Sequence, residues 1–141
     1  MEGAKKSVPV KEGLWTAEEK PRLIGSQCRK CGEVFFPRRE DVLCSHCQSS
    51  TFSEIKLSRT GKVYSYSVVM QRPPVYYKAA EVPYALGWVE LPEGIRVETL
   101  FTGCDPNDVK VGMEVEMLVD KLHTEEDGTE VFCYKFRPVS N

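Results

Sequence analysis

Four of the six cysteines in this chain lie in one segment, CRKCGEVFFPRREDVLCSHC, which runs from Cys28 to Cys47. They form two Cys-x-x-Cys pairs, Cys28 with Cys31 and Cys44 with Cys47, separated by twelve residues. Two intervening residues let both sulfurs of a pair reach one metal ion, and the longer spacer accommodates a strand, a turn and a return. The spacing therefore predicts a zinc site with four thiolate ligands.

Two alternatives use the same residues. An iron site of the rubredoxin type also has four cysteine ligands, and a redox-active disulfide needs only one pair. Zinc is favoured, and four thiolates leave no coordination position open for water, so we expect a structural rather than a catalytic ion. His46, inside the second pair, could replace a cysteine as ligand, but an exposed loop histidine is the simpler interpretation.

The remaining sequence is that of an ordinary globular protein with 141 residues and a net charge of −2. This length suits one domain, or one domain with a small appendage. No apolar run is long enough to span a membrane, and the N-terminal segment lacks the apolar stretch of a signal peptide. We therefore expect a cytoplasmic protein, in which disulfides are rare and paired cysteines more often bind metal.

The charges are unevenly distributed. Residues 55–80 carry five basic side chains and no acid, whereas residues 81–141 carry thirteen acids and five bases, a local balance of −8. This asymmetry either indicates an anion site on the basic side or is an unselected pattern of solvated charges.

Alternating apolar and polar residues predict a series of strands after the second cysteine pair. The predicted strands cover residues 61–70, 84–91, 95–101, 113–122 and 130–138. Pro92-Glu93-Gly94 predicts a hairpin turn, and Asp105 before Pro106 predicts a short capped helical turn. In the first strand, strict alternation places Val63 and Ser65 on one face and Tyr64 and Tyr66 on the other.

Five short antiparallel strands fit a small closed barrel of the OB type better than a two-sheet sandwich, which has about seven strands or more. The predicted fold is therefore mostly β, with an N-terminal rubredoxin-like zinc ribbon followed by a five-stranded OB-fold barrel. The predicted boundaries are residues 1–21 for an N-terminal arm or short helix, 22–54 for the zinc ribbon and 55–141 for the OB-fold.

No catalytic constellation is visible in the sequence. It has no glycine-rich phosphate loop, no His-Glu-x-x-His motif and no paired carboxylates with a catalytic spacing. Cys104 and Cys133 lie in the strand region, where we expect small buried apolar side chains. We predict no catalytic residue and no activity for the chain alone.

These features together resemble a known family, over nearly the whole chain from Arg22 to Pro138. The matching phrases include CRKCGEVFFPRR, CSHC, GKVYSY, RPPVYY, VPYALGWVELPEGIR and FTGCDPNDVKVGMEVEM. They are similar to the acyl-CoA-associated family of zinc-ribbon and OB-fold proteins, whose shared domain was long classed as one of unknown function. The combination of phrases is specific, whereas the four cysteines alone would not be.

The resemblance implies a companion subunit rather than an independent enzyme. Family members accompany acyl-CoA enzymes: thiolases, including one of the benzylsuccinate pathway of anaerobic toluene breakdown, hydroxymethylglutaryl-CoA synthase-like proteins, steroid side-chain aldolases and hydratases. The resemblance implies a zinc-containing, non-catalytic subunit of a hetero-oligomeric complex. The catalytic partner is most simply a thiolase, and the subunit is expected to be required for acyl transfer by that complex. The ribbon is then expected to dock on the catalytic subunit, and the OB domain to assist acyl-CoA binding.

Two groups of residues are candidates for these roles. Basic and aromatic side chains could attract the phosphates of CoA and stack its adenine. The candidate CoA-binding residues are Arg59, Lys62, Arg72, Tyr76 and Lys78. Exposed aromatics at a fixed turn make good anchors in protein interfaces. The candidate docking residues are Phe35, Phe36 and Pro37, which could instead form the small core of the ribbon itself.

A rival interpretation is a single-stranded nucleic-acid-binding protein, because OB barrels stack bases on exposed aromatics. The candidate platforms are Tyr64, Tyr66, Trp88 and Phe101. The acidic pI of about 5.8 disfavours this function, because nucleic-acid binders depend on a basic surface. A stand-alone enzyme using Cys104 is the third possibility, and no base or orienting residue accompanies that thiol in the sequence.

Overall fold

The computed structural model describes residues 7–11, 13–38, 43–70 and 83–139. Strands make up about half of the described residues, and the one helical element among them is a short 3-10 helix, Pro106–Asp108. Its strands are β1 (Ser7–Pro9), β2 (Ile24–Cys28), β3 (Val34–Phe35), β4 (Phe52–Lys56), β5 (Thr60–Val69), β6 (Tyr84–Glu90), β7 (Arg96–Phe101), β8 (Glu114–Thr124) and β9 (Glu130–Pro138). Within these ranges, no helix has the length and apolar character that a membrane span requires.

The ribbon is a small antiparallel sheet in the order β3-β2-β4. Its central strand, β2, pairs with β4 along its whole length, from Ile24 opposite Lys56 to Cys28 opposite Phe52. The shorter β3 pairs with the other edge of β2, where Ser26 lies opposite Phe35. The first cysteine pair therefore starts at the end of β2, the strand of the ribbon that is hydrogen-bonded on both edges.

The second sheet closes into a five-stranded barrel. Its strands follow the order β5-β6-β7-β9-β8, and β8 returns to pair with β5. Neighbouring strands are antiparallel except for β7 and β9, which run parallel where Phe101 lies opposite Phe136. The predicted fold, a zinc ribbon followed by a five-stranded OB barrel, is confirmed.

Two short structural features predicted from local sequence, a hairpin and a capped helical turn, are present in the structure. β6 and β7 pair from Ala85 opposite Phe101 to Glu90 opposite Arg96, which confirms the predicted hairpin. The 3-10 helix begins with Pro106, and the Asp105 side chain caps it by accepting a hydrogen bond from the Asn107 N–H at 2.9 Å. Both are short-range features whose determinants lie next to one another in the chain.

Strand β5 departs from strict alternation at a β-bulge between Val63 and Ser65. Val63 is buried in the core, and beyond the bulge Tyr66 packs against the core while Tyr64 is exposed. The expectation that Tyr64 and Tyr66 share a face is therefore wrong. An extra residue in one strand switches the faces of the residues that follow it, because side chains alternate with a period of two.

The segment preceding the ribbon packs on the barrel. Strand β1 pairs in parallel with the start of β9, with Val8 opposite Val131. Leu14 is buried, and its carbonyl accepts a hydrogen bond from the Ile24 N–H at 2.9 Å. The described residues of the predicted arm contain this strand and no helix.

One hydrophobic core connects the ribbon to the barrel. Leu23 and Leu57, which flank the ribbon, are fully buried in the same cluster as barrel residues such as Val89 and Phe136. The Leu57 N–H also donates to the Leu23 carbonyl at 2.8 Å. The ribbon thus rests on the end of the barrel through packed side chains and not through a free linker.

Candidate metal centre and partner-facing surfaces

The four predicted ligands converge in the structure. The sulfur atoms of Cys28, Cys31, Cys44 and Cys47 all lie within 4.8 Å of one another. The Cys28 and Cys47 sulfurs are 3.5 Å apart, and those of Cys31 and Cys44 are 3.6 Å apart. Four thiolates around a tetrahedral zinc, with bonds of about 2.3 Å, would be separated by about 3.8 Å. The cluster therefore has the dimensions of a zinc site and is able to hold the ion.

Two equivalent turns present these sulfurs. The Gly32 N–H donates to the Cys28 carbonyl at 2.9 Å, and the Gln48 N–H donates to the Cys44 carbonyl at 2.8 Å. Both residues have positive φ, 83° for Gly32 and 64° for Gln48. The second pair thus adopts the same turn as the first, although a glutamine stands where the first pair has the more permissive glycine.

The electrostatics of the cluster favour a cation. A hydrogen bond from the Cys31 backbone N–H lowers the pKa of the Cys28 thiol to about 6. The Glu33 backbone N–H lowers the pKa of Cys31, but desolvation and the neighbouring sulfurs outweigh it and raise that pKa to about 12. Cys28 forms a thiolate readily, whereas an additional thiolate at Cys31 or Cys47 is disfavoured unless a positive ion lies among the sulfurs. The His46 backbone N–H lies 3.4 Å from the Cys44 sulfur, and its side chain is exposed.

The two remaining cysteines are separate from this cluster. All six cysteines are free of disulfides. Burial raises the pKa of the Cys104 thiol, assisted by Asp108 and Asp105, and burial also raises the pKa of Cys133. A raised pKa keeps a thiol protonated and weakly nucleophilic. Neither residue therefore has the environment of a catalytic nucleophile.

The candidate CoA-binding residues have different surroundings. Arg72, Tyr76 and Lys78 lie outside the described residues. Arg59 donates to the carbonyls of Pro21 and Met117 at 3.0 and 2.7 Å, which ties the segment just before the ribbon to the barrel.

Lys62 is exposed in β5, opposite Glu90 of β6 and Glu114 of β8. These three side chains line a shallow groove of about 310 Å³. Two carboxylates beside the amine reduce its attraction for a phosphate. Lys62 is thus accessible to a ligand, but its surroundings are mixed in charge.

The candidate docking residues of the ribbon contact their own chain. The Phe36 ring packs edge-to-face on Tyr134 of the barrel, with ring centroids 5.6 Å apart. The Phe35 ring packs similarly on Phe52, at 6.0 Å. Both phenylalanines are half-buried, whereas Pro37 is exposed. Much of the apolar area of this turn is therefore used within the molecule.

The four aromatic residues of the nucleic-acid interpretation do not form one platform. Phe101 is buried and Tyr66 packs against the core. Tyr64 and Trp88 remain exposed on the outside of the barrel, at 47% and 43% of their surface. Only part of the proposed stacking surface is thus available in the folded chain.

Contacts that sequence reasoning missed fix the junction between ribbon and barrel. Glu93, in the β6–β7 turn, accepts hydrogen bonds from the Ser58 N–H and hydroxyl at 3.0 and 2.8 Å. Arg22 donates to the carbonyls of Leu57 and Lys56, both at 2.9 Å. These partners lie more than thirty residues apart in the chain, and no local pattern marks them.

Comparison with known proteins gives matches along most of the chain. Residues 15–53 match the family described as the ChsH2 rubredoxin-like zinc ribbon domain, and residues 54–120 match the ChsH2 C-terminal OB-fold domain. A DUF35 domain-containing scaffold protein of Methanocaldococcus jannaschii is 43% identical over 126 residues, which cover 88% of this chain and 86% of that protein.

Two further similar proteins are named as parts of enzymes. The benzoylsuccinyl-CoA thiolase subunit BbsA of Thauera aromatica is 33% identical over 84% of this chain and 78% of its own length. A solved structure, the Ltp2-ChsH2(DUF35) aldolase, contains a chain with 31% identity and a TM-score of 0.65, covering 83% of this chain and 84% of that one. The similarity extends through both the ribbon and the barrel.

Proposed function

This chain belongs to the ChsH2, or DUF35, family of proteins that join a rubredoxin-like zinc ribbon to an OB-fold domain, and from that premise we propose that it is the non-catalytic subunit of a thiolase-type acyl-CoA enzyme. Relatives described as a thiolase subunit and as a scaffold protein support this role. Neither Cys104 nor Cys133, the two cysteines outside the metal cluster, has the environment of a nucleophile. The complete thiolate cluster is the observation that carries the proposal, because it maintains the ribbon common to these relatives.

In this role the chain binds its catalytic subunit and assists acyl-CoA binding. The zinc ion has a structural function, since it holds a ribbon that is too small to maintain its fold by burial alone. Reduced thiolates persist in a reducing compartment, which supports a cytoplasmic location. The exposed Pro37 is the part of the predicted ribbon anchor that remains accessible to a partner.

A tagged purification from the native host tests the subunit assignment. The eluted proteins are identified by mass spectrometry, and zinc is measured in the same fraction. We expect an acyl-CoA enzyme subunit and about one zinc ion per chain. Recovery of the chain alone, or with nucleic acid, would contradict the proposed function.

Direct contact with CoA is tested separately in the purified complex. We propose that Lys62 and the basic and aromatic residues Arg72, Tyr76 and Lys78 contact the CoA phosphates and adenine. The paired change Arg72→Ala with Lys78→Ala should weaken CoA binding about tenfold, since each cation removed makes charge-assisted hydrogen bonds. If the Kd for CoA, measured by calorimetry, equals that of the wild-type complex, the chain binds its partner subunit but does not contact CoA through these residues.

A further inference from the structure

The outer surface of β5, β6 and β7 carries an aromatic pair surrounded by charges of both signs. Tyr64 and Trp88 are exposed there, and the Arg96 guanidinium lies over the Tyr64 ring, 3.7 Å from its centroid. Arg96 also pairs with Glu90, with nitrogen and oxygen 3.3 Å apart. We refer to this surface, centred on Tyr64, Trp88 and Arg96, as the aromatic face.

The bulge in β5 creates the aromatic face. Ser65 lies opposite Trp88, and Tyr64 is the extra residue between the paired positions Val63 and Ser65. It therefore points outward beside Trp88 and not inward with Tyr66. Bulges commonly occur where a side chain is redirected for binding. A specific feature of the strand thus puts the two exposed rings on the same outer surface.

We propose that the aromatic face is the surface on which the catalytic acyl-CoA enzyme subunit docks, an inference that rests on the proposed function. Trp, Tyr and Arg are the side chains most enriched among residues that dominate binding energy in protein interfaces. Here Arg96 is already held by Tyr64 and Glu90, so little side-chain freedom is lost on binding. The other large exposed apolar side chains of the described ranges, such as Val111 and Leu43, have no aromatic or cationic neighbour of this kind among the contacts seen.

The charge pattern favours a protein over a nucleic acid as the occupant. Lys62 and Arg96 supply two positive charges, and Glu90 and Glu98 supply two negative charges on the same exposed surface. Glu114 of β8 also lies beside Lys62, so the positive charges do not exceed the negative ones, whereas a nucleic-acid site needs cations in excess to neutralise phosphates. Interleaved charges around apolar side chains match the polar rim of a protein interface.

The aromatic face continues into a small apolar groove between β7 and β9. The groove has a volume of about 200 Å³, and its apolar lining includes Leu86, Leu100, Leu122, Cys133 and Tyr134. The Tyr134 hydroxyl donates to the Glu98 carbonyl at 2.8 Å, and the Thr99 hydroxyl donates to the Leu100 carbonyl at 3.0 Å. Because these donors are already bonded within the chain, the groove suits an apolar side chain of the partner.

The first test measures affinity for the acyl-CoA enzyme subunit recovered with the wild-type chain. Trp88→Ala and Tyr64→Ala should each raise the Kd about tenfold or more, the range of interface hot spots. Leu43→Ala is the matched control, because Leu43 is an exposed apolar residue, at 58%, in the ribbon and not on the strands of the aromatic face. Circular dichroism and zinc content should confirm that all three variants fold.

A second measurement follows the accessibility of Cys133 by alkylation with N-ethylmaleimide. Binding of the partner should slow alkylation of Cys133 in the groove, and Cys104, which follows β7, should react at the same rate with or without the partner. Wild-type affinity in both aromatic variants, or an unprotected Cys133 in the complex, would overturn this docking surface while leaving the subunit assignment intact.

A third measurement uses a fluorescently labelled oligothymidylate. We expect no binding at physiological salt. Binding that requires Trp88 and falls steeply with salt would instead assign the aromatic face to nucleic acid. A purification that yields no acyl-CoA enzyme would contradict the proposed function itself and remove the partner assigned here.

Discussion

At the scale of single residues, the two metal-binding turns show one backbone shape built from different side chains. Gly32 and Gln48 both have positive φ and both donate to the carbonyl four residues earlier. The left-handed conformation costs a non-glycine residue about 1–2 kcal/mol, because its Cβ approaches the following carbonyl. The second turn therefore keeps strain that its hydrogen bonds and the shared metal must offset.

This backbone strain predicts that substitutions at the two turns change the free energy of unfolding in opposite directions. Gln48→Gly should raise the free energy of unfolding by about 1 kcal/mol, less the entropy that glycine adds to the unfolded chain. Gly32→Ala should lower it by about 1 kcal/mol through backbone strain alone, because a Cβ there meets nothing within 4 Å. Guanidinium unfolding of the zinc-bound proteins measures both values. A destabilised Gln48→Gly variant would contradict the account.

The buried ligand Cys44 gives a second prediction. Cys44→Ser should abolish stoichiometric zinc binding, since a serine hydroxyl is a poor substitute for a thiolate in a site with four sulfur ligands. Cys104→Ser is the matched control and should keep about one zinc ion per chain, because Cys104 lies outside the cluster. Metal content after dialysis against a weak chelator measures both. Full zinc occupancy in Cys44→Ser would exclude that sulfur as an essential ligand.

At the scale of elements, the close approach of β5 and β6 at the bulge depends on Gly87. A Cβ on Gly87 would overlap the Ser65 carbonyl oxygen and lie 2.7 Å from the Tyr66 Cα. Both contacts are to backbone, so no side-chain rotation relieves them. The bulge that directs Tyr64 outward thus requires a glycine on the facing strand.

Gly87→Ala should therefore lower the free energy of unfolding by about 3 kcal/mol or more, as expected when a substitution forces a strand pair apart. Gly94→Ala is the control, because Gly94 has a φ of +87° but open space around its Cβ. It should cost only about 1 kcal/mol of backbone strain. Equal stability losses in the two variants, measured by chemical denaturation, would show that β6 can move away from β5 without penalty.

The same elements show what the sequence predicts and what it does not. The four cysteines, the hairpin after Glu90 and the Asp105 cap were predictable, because each depends on residues close together in the chain. The bulge was not, since the alternation around Tyr64 is compatible with an unbroken strand and only the facing β6 selects otherwise. Arg59 was predicted as a CoA ligand from its charge. Its hydrogen bonds to the carbonyls of Pro21 and Met117 could not be predicted, because those residues lie in distant segments of the chain.

At the scale of the whole molecule, the ribbon and the barrel share one core. Leu23 and Leu57 are buried in the barrel cluster. Phe36 packs on Tyr134, and Arg59 connects the carbonyls before the ribbon and on β8. Packed cores transmit displacement, because they have few voids to absorb it. The state of the metal site should consequently affect the barrel as well as the ribbon.

Removal of zinc should therefore lower the melting temperature of the barrel. Two variants that each keep a single tryptophan separate the fluorescence of the ribbon from that of the barrel. Trp88→Phe leaves Trp15, which forms a β-bridge with Leu23 beside the ribbon, and Trp15→Phe leaves Trp88 on the barrel. With zinc, both fluorescence transitions should coincide, as in a two-state protein. A strong chelator should lower both by more than about 10 °C, since structural zinc contributes several kcal/mol to folding. If the Trp88 transition stayed at the same temperature while the Trp15 transition fell, the ribbon and the barrel would be independent folding units, and the shared core would not couple them.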